Sequence, residues 1–149
     1  QFHDTVDQVL ESYKDNVKVI YRHYPLSFHA NAHKAAEAAE CVAKNAGEDA
    51  FWKFTDLYFK TTDSSGTGVA VEEMPGLAAQ AGANEAAVKK CLDSDEMAAK
   101  VDDQMNGGSL AGVSGTPGTI VIAPDNQFDF ISGAQPIASV KATLDKYIK

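Results

Sequence analysis

Few residues in this sequence of 149 combine a reactive type with a suggestive spacing. Its two cysteines, Cys41 and Cys91, are fifty positions apart and have no neighbouring cysteine or histidine at zinc-site spacing. Neither can therefore belong to a local Cys-x-x-Cys pair. Two readings stand: a long-range bridge, or two buried thiols packing as small apolar groups. No nearby charge pattern marks either as an activated thiolate. His29 and His33 have i, i+4 spacing, but His29 precedes the expected helix start and no third ligand is suggested, so no metal is expected. Glu72-Glu73 and Asp102-Asp103 read as solvated helix faces, since an acid/base dyad needs carboxyls opposed across a cleft. The remaining candidate is Gly115-Thr116-Pro117-Gly118, a bend just ahead of an apolar run. Both a cis and an ordinary trans bond at Pro117 suit such a bend.

The elements that must position these residues can be read from periodicity. Phe2, Val6, Val9, Leu10 and Tyr13 form one apolar stripe at helical spacing. VKVIYRHY (17–24) is rich in β-branched and aromatic types and stops at Pro25, which predicts a strand. The Ala-rich stretch from Ala30 to Gly47 predicts a helix, as does FWKFTDLYF (51–59), with Phe51, Phe54, Leu57 and Tyr58 inward and Trp52 anchoring the helical core. TTDSSGTG (61–68) reads as a loop. Residues 70–81 and 84–91 predict two short helices, and 93–110 another, with Asp95 and Glu96 in its first turn. TIVIA (119–123) reads as a strand buried on both faces, PDNQ (124–127) as a turn, and FDFI (128–131) as the antiparallel partner. A final helix starts near Pro136, with Ile137, Val140, Leu144 and Tyr147 on one face.

Charge and hydropathy exclude several functions. With 13 basic and 21 acidic residues the net charge is −8, the wrong sign for a general nucleic-acid binder or for an anionic membrane surface. No apolar run approaches the ~20 residues of a membrane span. A chain of this length buries enough surface to hold one core without metal or disulfide.

Taken in order and spacing, HYPLSFHANAHKAAEAAEC, FWKFTDLYF, KKCLDSDE and GVSGTPGTIVI resemble the DsbA-like thiol–disulfide oxidoreductases. That resemblance covers essentially the whole chain. It implies an α/β, thioredoxin-like fold with an inserted helical subdomain: residues 1–28 and 112–149 form the thioredoxin-like part and 29–111 the insertion. It also implies a cis-proline at Pro117, which presents the backbone of Thr116 to a substrate strand, with Gly115 beside it. Gly118 departs from the bulkier residue often found after this proline. Gln1-Phe2-His3 resembles the stretch just past the second cysteine of the redox Cys-x-x-Cys. The pair and the central strand are accordingly expected just before residue 1, with Phe2 and His3 as active-site neighbours. In a thioredoxin fold that strand lies beside TIVIA.

The implied function is thiol–disulfide exchange on cysteine-containing protein substrates, with a redox partner protein, no cofactor and no metal. The implied location is extracytoplasmic, in a bacterial periplasm or cell envelope, where disulfides persist. A redox-inactive peptide-binding module and a glutathione-type transferase or isomerase are the competing readings. Cys-x-x-Cys just upstream supports exchange, a Ser-led motif the transferase, and neither the binding module.

Overall fold

The computed structural model describes residues 2–63 and 67–148, so part of the 61–68 loop lies outside the described residues. Two compact units emerge: a sheet unit of residues 1–22 and 108–149, and a helical unit of residues 23–107. The boundaries expected from the sequence were 28/29 and 111/112.

In the sheet unit, α1 (Phe2–Tyr13) runs through a short 3₁₀ turn to an extended Val17. β1 (Gly118–Ile122) and β2 (Phe128–Ser132) form an antiparallel hairpin in which Gly118 faces Ser132 and Ile122 faces Phe128. The PDNQ turn closes it: Ala123 N–H donates to Gln127 O at 2.8 Å, and Asn126 adopts φ 64°, a left-handed conformation that asparagine tolerates. The hairpin leads to α7 (Ile137–Leu144), preceded by Pro136 as its cap residue. The core of this unit is Val9 of α1, Ile131 of β2, and Val140 and Leu144 of α7, with Phe2, Tyr13, Val17, Val121 and Ile137 against it. Tyr13 locks α1 to the end of α7 by donating its hydroxyl to Asp145 at 2.6 Å, a bond that, with burial, pushes its pKa up to about 12. Tyr147 falls beyond α7 and instead donates its hydroxyl to Asp129 at 3.0 Å.

Two expectations need correction here. Residues 17–24 start from an extended Val17 but form no ladder among the described residues, so they are not a strand. Side-chain alternation is nevertheless present: Val17, Val19 and Tyr21 are half-buried, while Lys18, Ile20 and Arg22 are exposed. Composition supplies the period of two, whereas strand status requires a neighbour to bond. Likewise, TIVIA is not buried on both faces. Val121 points into the core, but Ile120 and Ile122 lie opposite Phe130 and Phe128 on an exposed face, with Ile122 at 71% and Phe128 at 72% exposure. An apolar run records the chemistry of both faces but not which of them is covered.

The helical unit is built around α2 (Ala32–Ala46), against which α3 (Glu48–Thr61), α4 (Met74–Gln80) and α5 (Glu85–Asp93) pack. The alanines are what allow this. Ala35, Ala38 and Ala39 are buried, and small side chains let neighbouring helix axes approach closely from several sides. Gly47, at φ 85°, turns the chain between α2 and α3 in the left-handed region that favours glycine. Phe54, Val42, Met74 and Val88 fill the core. Trp52 does not anchor it: the ring sits half-buried at the edge, against Phe51, and donates Nε1–H to Glu48 at 3.4 Å. An indole N–H is costly to bury without an acceptor, and α3 turns Phe54 and Tyr58 inward instead. The predicted helix from 93 is also interrupted. Residues 94–97 form a turn with Asp95 at φ 52°, and α6 (Ala98–Leu110) begins after it. Asp95 and Glu96 therefore precede the first turn, where they pair with Lys34 and Lys44.

Candidate functional site

Hairpin geometry builds the site. β1 is entered through a bend whose first leg is fixed by Val113 N–H donating to Gly108 O at 2.9 Å. The Thr116–Pro117 peptide bond is cis. Gly133 N–H donates to Pro117 O at 2.9 Å and extends the hairpin ladder by one bond beyond Gly118–Ser132. Gly133 has φ 73°, so a glycine suits the place where the chain leaves β2. These constraints shape an open pocket of about 240 Å³ lined by Ser114, Gly115, Thr116, Pro117, Phe130, Ser132 and Gly133. Thr116 is exposed at its rim.

Gly118 is held by its surroundings. A Cβ there meets Val113 Cγ1 at 3.0 Å and Gly115 O at 3.2 Å, both tighter than ordinary contact. Gly118→Ala is therefore expected to cost about 1 kcal/mol of unfolding free energy, at the low end for overpacking because Val113 can turn aside. Adding Val113→Ala should recover most of it in urea unfolding; an additive loss would show that Gly115 O, not Val113, is the obstacle.

The structure gathers Gly115, Thr116 and Pro117 in one pocket but does not add the other predicted neighbours. Phe2 packs in the sheet-unit core, and His3 is half-buried in the first turn of α1; neither lines the pocket. Sequence reading missed Ser114, Phe130, Ser132 and Gly133. The hairpin register was the signal that could have found the last three, since pairing TIVI with FDFI across PDNQ brings 130–133 opposite 117–120.

Cys41 and Cys91 are disulfide-bonded, with Cα atoms 5.9 Å apart, and both are buried in the core of the helical unit. This bridge joins α2 to α5 and leaves no free cysteine among the described residues. The histidines divide. His29 lies in the turn before α2, whereas His33 stands between two carboxylates, its Nδ1 3.0 Å from Glu37 and its Nε2 3.0 Å from Asp102. Burial works against its charge, but the hydrogen bonds to Asp102 and Glu37 outweigh it and raise its pKa. No cluster of three or more metal-binding side chains occurs among the described residues. Nor is any helix there long and apolar enough to cross a membrane.

Known proteins place this arrangement. A family model described as thioredoxin matches residues 1–146. The crystal structure of Pseudomonas aeruginosa DsbA2 superposes with a TM-score of 0.80 at 18% identity, over 97% of this chain and 79% of that one. No curated protein matches the sequence. The hairpin, the Thr116–Pro117 bend, the flanking α1 and α7 and the helical unit thus together make a DsbA-like thioredoxin fold, and the chain belongs to the thioredoxin family.

Proposed function

We propose that this chain is the scaffold of an extracytoplasmic protein thiol–disulfide oxidoreductase. The observation that carries the reading is the Thr116–Pro117 pocket at the start of β1 in a DsbA-like thioredoxin fold. An extended substrate segment laid at Thr116 finds exposed backbone to bond and the Phe130 ring for an apolar side chain. The Cys41–Cys91 bridge is buried away from solvent and has a structural role, so the reactive dithiol is assigned to residues outside these 149. A stable internal disulfide also fits an oxidising compartment.

In the exchange, one thiolate of that dithiol attacks a sulfur of a substrate disulfide. The substrate S–S bond breaks, a mixed disulfide forms, and the departing substrate thiolate takes up a proton. The second thiolate then attacks the mixed disulfide, releasing the other substrate sulfur and leaving the dithiol oxidised. The reverse sequence oxidises a substrate. Cysteine-containing proteins are the proposed substrates, and a separate redox protein resets the dithiol. The test is insulin reduction by the whole encoded protein with dithiothreitol as electron source. Turnover above a free-thiol control is expected. Peptide binding without turnover would point instead to a redox-inactive binding module.

A further inference from the structure

The chain enters the helical unit at His23 and leaves it at Gly107. One buried carboxylate lies at the meeting point of both ends. Glu40, in the middle of α2, accepts a hydrogen bond from Gln104 Nε2 on Oε1 at 2.8 Å and an ion pair from Lys100 on Oε2 at 2.6 Å. Gln104 turns its other amide atom to the incoming segment: its Oε1 accepts from the His23 backbone N–H at 2.6 Å. The His23 ring closes the arrangement, with Nε2 3.6 Å from Glu40 Oε1. Groups 81 positions apart in sequence are thus joined through one amide side chain to one carboxylate.

A buried carboxylate is a poor source of net stability, because desolvation offsets most of its attraction to a partner. Its better-attested value is in fixing a register that apolar packing leaves loose. The ends of the helical unit fit that description. Residues 23–26 have no helix or strand of their own, and α6 contributes only Val101 as a fully buried residue. Nor is the cluster a cation site, since the Lys100 ammonium already occupies the carboxylate.

We propose that Glu40 is a clasp that holds the incoming segment at His23 and the outgoing helix α6 as one body, so that the two ends of the helical unit open together and only when the carboxylate is released. The proposal is independent of the redox reading. Glu40 bonds directly to neither the His23 amide nor the backbone of residues 104–107, which makes amide hydrogen exchange a discriminating readout. In the full chain, Glu40→Gln is expected to speed exchange at His23 and at residues 104–107 at least tenfold and by a common factor. Amides of Val42 and Val88, in the disulfide-bonded core, should change less than twofold. Faster exchange at one end only, uniform acceleration through the unit, or no change would each overturn the clasp. Should Glu40→Gln fail to fold, Lys100→Met carries the same test, because it removes an exposed ion-pair partner of Glu40 and leaves in place Gln104, which links Glu40 to the His23 amide.

Discussion

Replacing Cys41 and Cys91 together with alanine should lower the unfolding free energy by about 4 kcal/mol, the largest single loss expected in this chain. The bridge closes a loop of 50 residues, and in the chain-entropy account cross-linking a loop of that length removes about 4 kcal/mol of disorder from the unfolded state. For a chain of this size each kcal/mol shifts the melting temperature by roughly 2–4 °C, so a fall of roughly 8–16 °C is expected. Location supports the upper part of that range. The bridge joins α2 to α5 within the core that holds Val42 and Val88, and both sulfurs lie where alanine leaves unfilled space. Urea unfolding of the double variant, compared with the parent in reductant, checks both the size and the source. A loss below about 1 kcal/mol would show that the helices hold one another without the link.

The second large effect is a loss of stability in mild acid traced to His23. Burial is the leading cause that depresses its pKa, with the Lys100 charge adding to it and Glu40 opposing, to a value of about 4. The unfolded chain binds a proton at this residue below its ordinary value of 6.5, whereas the folded chain does not until about 4. Between those values the unfolded state holds more protons, so stability falls as pH falls. The contribution is present above pH 6.5, is lost progressively down to about pH 4, and amounts to something on the order of 3 kcal/mol. His33 has the opposite sign, since its raised pKa gives stability that is present below 6.5 and lost as pH rises through the folded value. The wild-type curve therefore mixes the two. Comparison with His23→Gln isolates the buried ring: the variant should be markedly flatter between pH 6.5 and 4. An imidazole NMR titration of His23 with its midpoint near 6.5 would contradict the account.

How far the sequence reveals the molecule depends on whether a feature is local. The β1–β2 hairpin is legible because a polar turn, PDNQ, separates two short apolar runs and nothing remote decides its register. The pairing of Cys41 with Cys91 has only one intrachain form once a bridge is considered, and the structure supplies the proximity that spacing could not. Residues 17–22 show the limit. Their composition gives alternating faces, but a strand is a relation between two segments, and the second is not specified locally. Ile120 and Ile122 were expected to be buried for the same reason, since an apolar side chain does not encode what covers it.

The polar interior was the least legible part. Glu37 and Glu40 look like ordinary charged positions in an alanine-rich helix, yet Glu37 is only 1% exposed. Burial is tolerated because Lys34 and His33 come from one turn earlier on α2, while Lys100 and Gln104 arrive at Glu40 from α6, sixty or more positions away. Lys34 illustrates the balance. Burial opposes its charge, but hydrogen bonds to Asp95 and Glu37 dominate and raise its pKa. Such a cluster has no sequence signature beyond the presence of carboxylates in an otherwise apolar stripe.

The division of labour between the two kinds of sulfur is what the functional account rests on. It is tested most directly by insulin reduction with the whole encoded protein, comparing the wild type with the form in which Cys41 and Cys91 are both alanine, at a temperature where both remain folded. The account predicts turnover in each, at rates within about a factor of two. Loss of turnover in the alanine form would make the buried bridge the reactive pair, and absence of turnover in both would remove thiol–disulfide exchange as the function.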